Sequence, residues 1–185
     1  MKTSISFLAA LVLCAQSALA QPAAQPTERK DLQLFNDVAK AVNRYDRFTI
    51  FDDVSAEVKD GVVTLTGKVT MPYKRDDLLK RVTKVDGVTA VIGKMDVLPV
   101  SQWDDQLRYR IARAIYGNAN FWNYGASANP SIHIIVEHGR VTLSGVVQSE
   151  VDRMLARTLI TQVGVMSVTN NLQTEAEARA QLEKM

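Results

Sequence analysis

The chain has 185 residues, 46% of them hydrophobic and 23% charged, with 22 Lys+Arg against 20 Asp+Glu, a net charge of +2 and a single Cys. This composition belongs to an ordinary globular protein and excludes disordered, collagenous and disulfide-stapled chains. The balanced charge carries no nucleic-acid footprint, and one Cys with two His supplies neither an internal disulfide nor a complete zinc tetrahedron.

Lys2, the apolar run Ile5 to Leu13 and the small residues of Ala18-Leu19-Ala20 before Gln21 predict a secretory signal over residues 1–20, cleaved after Ala20. The apolar run is shorter than the roughly 20 residues that span a bilayer. No later segment replaces it, so no transmembrane span is expected in the mature chain. Lipid attachment at Cys14 is disfavoured, because Leu13 stands directly before it where a lipobox resembles Leu-small-small-Cys. Removing the signal leaves a chain without Cys, which suits an oxidising envelope compartment and excludes a Cys nucleophile.

Residues 21–30, with Pro22 and Pro26, read as a flexible leader. Leu34, Val38, Ala41 and Val42 then recur at three-to-four spacing and predict an amphipathic helix. Val54, Ala56 and Val58 alternate with polar residues, as do Val63, Leu65 and Val69, so two strands follow. Asp60-Gly61 joins them as a tight hairpin turn, which demands positive φ at both positions. Pro72 opens a second helix with Leu78, Leu79, Val82 and Val85 toward the core, and Val88 to Val97 completes the unit as a strand. Pro99 to Gln102 is a hinge.

Beyond the hinge the pattern starts again. Residues 58–69 align without a gap on residues 136–147, with seven of twelve positions identical at an offset of 78. Leu34, Val38 and Val42 match Leu107, Ile111 and Ile115 at an offset of 73, so the second copy is five residues longer between its first helix and first strand. His138-Gly139 is its hairpin turn, Ser149 with Asp152 opens its second helix, and Val151, Leu155, Leu159 and Val163 are expected to face its core. Gly67 and Gly145 are expected to permit a close approach of the helix or a strand bend. The predicted fold class is α+β. Two tandem α-β-β-α-β domains, at 31–99 and 102–174, each place a three-stranded mixed sheet under two helices on one face. Residues 175–185 read as a charged, frayed tail.

This element order, with Gly139-Arg-Val-Thr-Leu-Ser-Gly145 and Val165-Met-Ser-Val168-Thr-Asn170-Asn171-Leu172, resembles the BON domain family of bacterial envelope proteins. The first copy keeps Gly61-Val-Val-Thr-Leu-Thr-Gly67 but has Gly93-Lys94 where the family favours Asn-Asn. A tandem pair behind a signal peptide looks like the OsmY-type periplasmic proteins. The resemblance implies a periplasmic, non-enzymatic protein that binds phospholipid membranes and protects the envelope under osmotic stress. The alternative is a soluble stress chaperone or protein-interaction module without lipid binding, whose partners are unfolded or envelope proteins.

The shared residues are structural, and no catalytic residue, cofactor or metal site is predicted. His138 occupies the turn position of Asp60, while Asp52-Asp53, Asp76-Asp77 and Asp104-Asp105 read as solvated caps at element edges. A binding surface is the sharper prospect. At about 100° per residue, Leu107, Ile111, Ala114 and Ile115 share one sector of their helix, with Tyr109, Arg113 and Tyr116 opposite and Arg110 at the flank. The adjoining loop adds Phe121, Trp122 and Tyr124 in a chain that is only 6% aromatic. Tyr and Trp suit a membrane interface and Arg suits phosphate, so these seven residues are candidates for contact with an anionic phospholipid surface or a partner. The competing reading tucks Phe121 and Trp122 over their own core and packs Tyr109 or Tyr116 against the first domain.

Overall fold

Asp60 and Gly61 have φ of 51° and 79°, and His138 and Gly139 have 51° and 74°, so each hairpin turns through two consecutive left-handed residues. The computed structural model describes residues 26–126 and 129–183, and the expected signal at 1–20 lies outside them. The first half runs α1 (Pro26–Asn43), β1 (Asp53–Lys59), β2 (Val62–Val69), α2 (Pro72–Val82) and β3 (Ala90–Val97). The second runs α3 (Gln102–Tyr116), a turn of 3-10 helix (Ala119–Phe121), α4 (Trp122–Gly125), β4 (Ile132–Glu137), β5 (Arg140–Val147), α5 (Glu150–Thr161), β6 (Ser167–Thr174) and α6 (Glu175–Leu182).

Each sheet has its central strand paired antiparallel on one side and parallel on the other: β1-β2-β3 and β4-β5-β6. The hairpin makes the first pairing, and the crossover through α2 or α5 makes the second. Leu34, Val38 and Val42 from α1 meet Leu78 and Val82 from α2 over Val58, Val63, Leu65 and Val69. Leu107, Ile111 and Ile115 from α3 meet Ala156 and Ile160 from α5 over Ile134, Val136, Val141 and Leu143.

Gly67 and Gly145 serve the neighbouring strand, not a helix. A Cβ on Gly67 would lie 2.1 Å from the Asp53 carbonyl oxygen, and one on Gly145 would lie 1.8 Å from that of Ser131. Their φ values of 117° and 110° also belong to glycine.

Three expectations are corrected. Helix α1 begins at Pro26, inside the segment read as leader, because a proline at the first helical position lacks only an N–H that would be unpaired anyway. Residues 175–182 of the expected frayed tail form α6, started by a full capping box in which Thr174 and Glu177 satisfy each other's backbone N–H groups. Val151 is 66% exposed, since the buried side of α5 is centred on Ala156 and Ile160.

Two carboxylates expected at the surface are interior anchors. Asp52 is fully buried and accepts the N–H and hydroxyl of both Thr49 and Thr70, together with the Lys74 ammonium at 2.6 Å. Burial alone would raise its carboxyl, but these donors outweigh that and hold it below the ordinary carboxylate range. Asp104, also buried, accepts the N–H groups of His138 at 2.8 Å and Gly139 at 2.9 Å, tying the start of α3 to the hairpin turn. Asp31 does the same for Asp60 and Gly61. Asp76 and Asp105 remain exposed.

The halves touch along β4. Its Ile134 N–H donates to the Ile50 carbonyl at 2.7 Å, in the segment leading into β1. Lys68 and Glu137 form an ion pair across the junction, and the Phe48 ring lies 5.5 Å from that of His133.

Candidate surface-binding face of the second domain

Helix α3 is capped by Ser101, whose hydroxyl accepts the Asp104 N–H. With Leu107, Ile111 and Ile115 turned inward, the helical repeat directs Trp103, Tyr109, Arg110 and Arg113 outward. Trp103 is 61% exposed, Tyr109 67% and, just past the end of the helix, Trp122 71%. The Arg110 guanidinium lies 5.6 Å from the centre of the Trp103 ring, a cation–π contact between two exposed side chains. Among the described residues neither Arg110 nor Arg113 has a carboxylate partner.

Of the seven predicted residues, Tyr109, Arg110, Arg113 and Trp122 are therefore on the surface. Tyr109 also meets the first domain, its ring standing edge-on to Phe51 with centroids 5.5 Å apart. The other three are corrected to structural roles. Phe121 is completely buried, and a ring of that size contributes roughly 1.5–3 kcal/mol of hydrophobic stabilisation. Tyr116 donates its hydroxyl to the Ile132 carbonyl at 2.5 Å, and burial pushes its phenol well above the ordinary value. Tyr124 is buried, donates to Asp152 Oδ2 at 2.9 Å and accepts the Gln148 N–H at 2.7 Å. The longer loop of the second copy thus folds a 3-10 turn and α4 inward as a plug, leaving Trp122 outside.

Trp103 was not among the predicted residues. The signal for it is spacing: it precedes Arg110 by seven residues, two turns on the same side of the helix. Helix α5, which packs beside α3 on the same sheet face, adds exposed Val151 and Met154. The side chains exposed on this face include aromatic rings, aliphatics and arginines. Its chemistry is aromatic surface and unpaired guanidinium, suited to holding a ligand. Among the described residues no helix is long and apolar enough to cross a membrane.

No curated protein matches the chain. Among solved structures it is similar to CdsD, a structural protein of the type III secretion system of Chlamydia trachomatis, at 12% identity and a TM-score of 0.29, covering 82% of this chain and 97% of that one. It is likewise similar to the C-terminal domain of CdsD, at 13% identity and a TM-score of 0.28, covering 75% and 96%. The BON domain family matches twice, at residues 31–99 and 104–176, and the chain belongs to that family as a tandem pair.

Proposed function

We propose that this is a non-enzymatic periplasmic protein, exported by a signal cleaved after Ala20, whose second domain docks on anionic phospholipid headgroups. BON is not an enzyme family, and a face of exposed rings and guanidinium groups is suited to binding. The observation that carries the reading is the exposure of Trp103, Tyr109 and Trp122 on and beside a helix whose outward Arg110 and Arg113 lack carboxylate partners. Indole and phenol rings settle at headgroup depth, where the ring body is shielded and the polar edge stays wet. Guanidinium forks meet lipid phosphate with two parallel hydrogen bonds. Attachment is reversible, weakened by salt through the arginines and retained in part through the rings. Membrane attachment of this kind fits a role in protecting the envelope under osmotic stress.

Flotation with phosphatidylcholine vesicles, with and without phosphatidylglycerol, tests the proposal. The wild type floats with the anionic vesicles, while Trp103→Ala, Trp122→Ala and Arg113→Glu float less. Equal flotation of all four proteins removes the reading. Suppression of client aggregation without vesicle binding would replace it with the chaperone alternative.

A further inference from the structure

The first domain carries 11 basic and 11 acidic side chains over residues 31–99, yet they are not evenly spread. Where the chain leaves α1 and passes the C-terminal half of α2, a concavity of about 730 Å³ is lined by Tyr45, Arg47, Lys80, Arg81 and Lys84, with Asp46 and Asp77 as the carboxylates. Asp77 is engaged by the Tyr45 hydroxyl at 2.8 Å. Asp46 reaches only Arg81, at 3.9 Å, and is itself 80% exposed, a contact of little energetic weight. Among the described residues Arg47, Lys80 and Lys84 have no carboxylate partner. Both guanidinium groups are held over aromatic rings, Arg81 at 5.0 Å from the centre of Tyr45 and Arg47 at 5.4 Å from that of Tyr73. Stacking limits their freedom while the hydrogen-bonding edges remain available.

Cations in a last helical turn also complement the helix dipole, and that alone could account for Lys80 and Arg81. The duplicated domain is an internal control on this explanation. At the offset of 78, Lys80, Arg81 and Lys84 correspond to Thr158, Leu159 and Gln162, and the last turn of α5 holds no basic residue. The same scaffold therefore closes without them, and the cationic cluster is a property of the first copy only.

We propose that this concavity is an anion site taking the phosphate group of a water-soluble ligand, independent of the α3 face. Arg47 and Arg81 supply planar forks that match phosphate oxygens, and Lys80 and Lys84 supply point charges at the rim. A soluble ligand is favoured over a lipid because six of the nine residues lining the concavity are charged, and Ala41 and Val85 are its only aliphatic members.

Titration of the purified protein with inorganic pyrophosphate, followed residue by residue by amide NMR, tests this. Shifts are expected at Arg47, Lys80, Arg81 and Lys84, and the Lys80→Gln/Lys84→Gln variant should raise Kd roughly fivefold or more. The Lys59→Gln/Lys94→Gln variant removes the same charge from other exposed positions of the domain and should bind as the wild type does. Arg113→Glu should also leave pyrophosphate binding intact. Equal binding by the two lysine double variants, or loss of binding in Arg113→Glu, overturns the proposal. Loss of binding to phosphatidylglycerol vesicles by Lys80→Gln/Lys84→Gln, with pyrophosphate affinity unchanged, overturns it in favour of a lipid headgroup.

Discussion

The Tyr124 hydroxyl donates to Asp152 Oδ2 at 2.9 Å, in the place where the first domain sets the Lys74 ammonium against Asp52 at 2.6 Å. The correspondence is positional: Lys74 and Asp152 are 78 apart, as are Thr70 and Gln148, whose N–H groups donate to Asp52 and Tyr124 respectively. One copy joins the segment before its first strand to its second helix with a buried ion pair. The other uses a phenol brought in by the longer loop.

The two solutions should differ in what their loss costs. Lys74→Met leaves the Asp52 charge buried without its partner and should destabilise the first domain by about 3–5 kcal/mol. Tyr124→Phe removes a hydrogen bond to a carboxylate that Ser149 still satisfies, together with the acceptor of the Gln148 N–H, and should cost about 1–3 kcal/mol. Urea denaturation, with amide exchange reporting which half opens, distinguishes them.

Asp52 also gives the first domain an acid sensitivity. Its folded carboxyl lies below the ordinary value of about 3.9, so its stabilising contribution is complete above that pH and is lost as pH falls through the folded value. In Asp52→Asn the domain should be less stable at neutral pH, with a shallower loss of stability below about pH 4. Thermal denaturation between neutral pH and acid measures both effects.

Gly67→Ala and Gly145→Ala each push a methyl group into a backbone carbonyl of the adjacent strand, and should cost about 3 kcal/mol or more. Gly164→Ala is the contrast, since it has φ of 81° but nothing within 4 Å. Only left-handed strain remains there, about 1 kcal/mol. Melting temperatures of the three variants should follow that order.

Asp104→Ala strips both acceptors from the His138 and Gly139 N–H groups inside the protein and should cost about 2–3 kcal/mol. Asp104→Asn restores one acceptor but turns an NH₂ toward the other N–H, so it should rescue only partly. The half-buried Asp31, with a longer bond of 3.3 Å to Gly61, should lose less on the change to Ala. Calorimetric unfolding of the three variants tests this ranking.

The limits of sequence reading are visible in the same residues. Phe121 and Tyr124 lie in a 3-10 turn and a four-residue helix, too short to show any periodicity, so nothing local marks them as buried. Asp104 was legible in principle, because it matches Asp31 at the offset of 73 and both precede a hairpin of left-handed residues. Pairing Asp104 with the adjacent Asp105 concealed this, since two neighbours on a helix point about 100° apart and meet different surroundings.

Read alone, the amino-acid sequence established the twin α-β-β-α-β units, their hairpins and the inward sides of most helices. Those features follow from spacing and turn chemistry among residues close in the chain. Only the tertiary structure decided which aromatics of the second copy face water, which carboxylates are interior anchors, and that four basic side chains of a neutral domain gather in one concavity. Burial and local charge depend on what distant segments bring to the same place, and no local pattern records that.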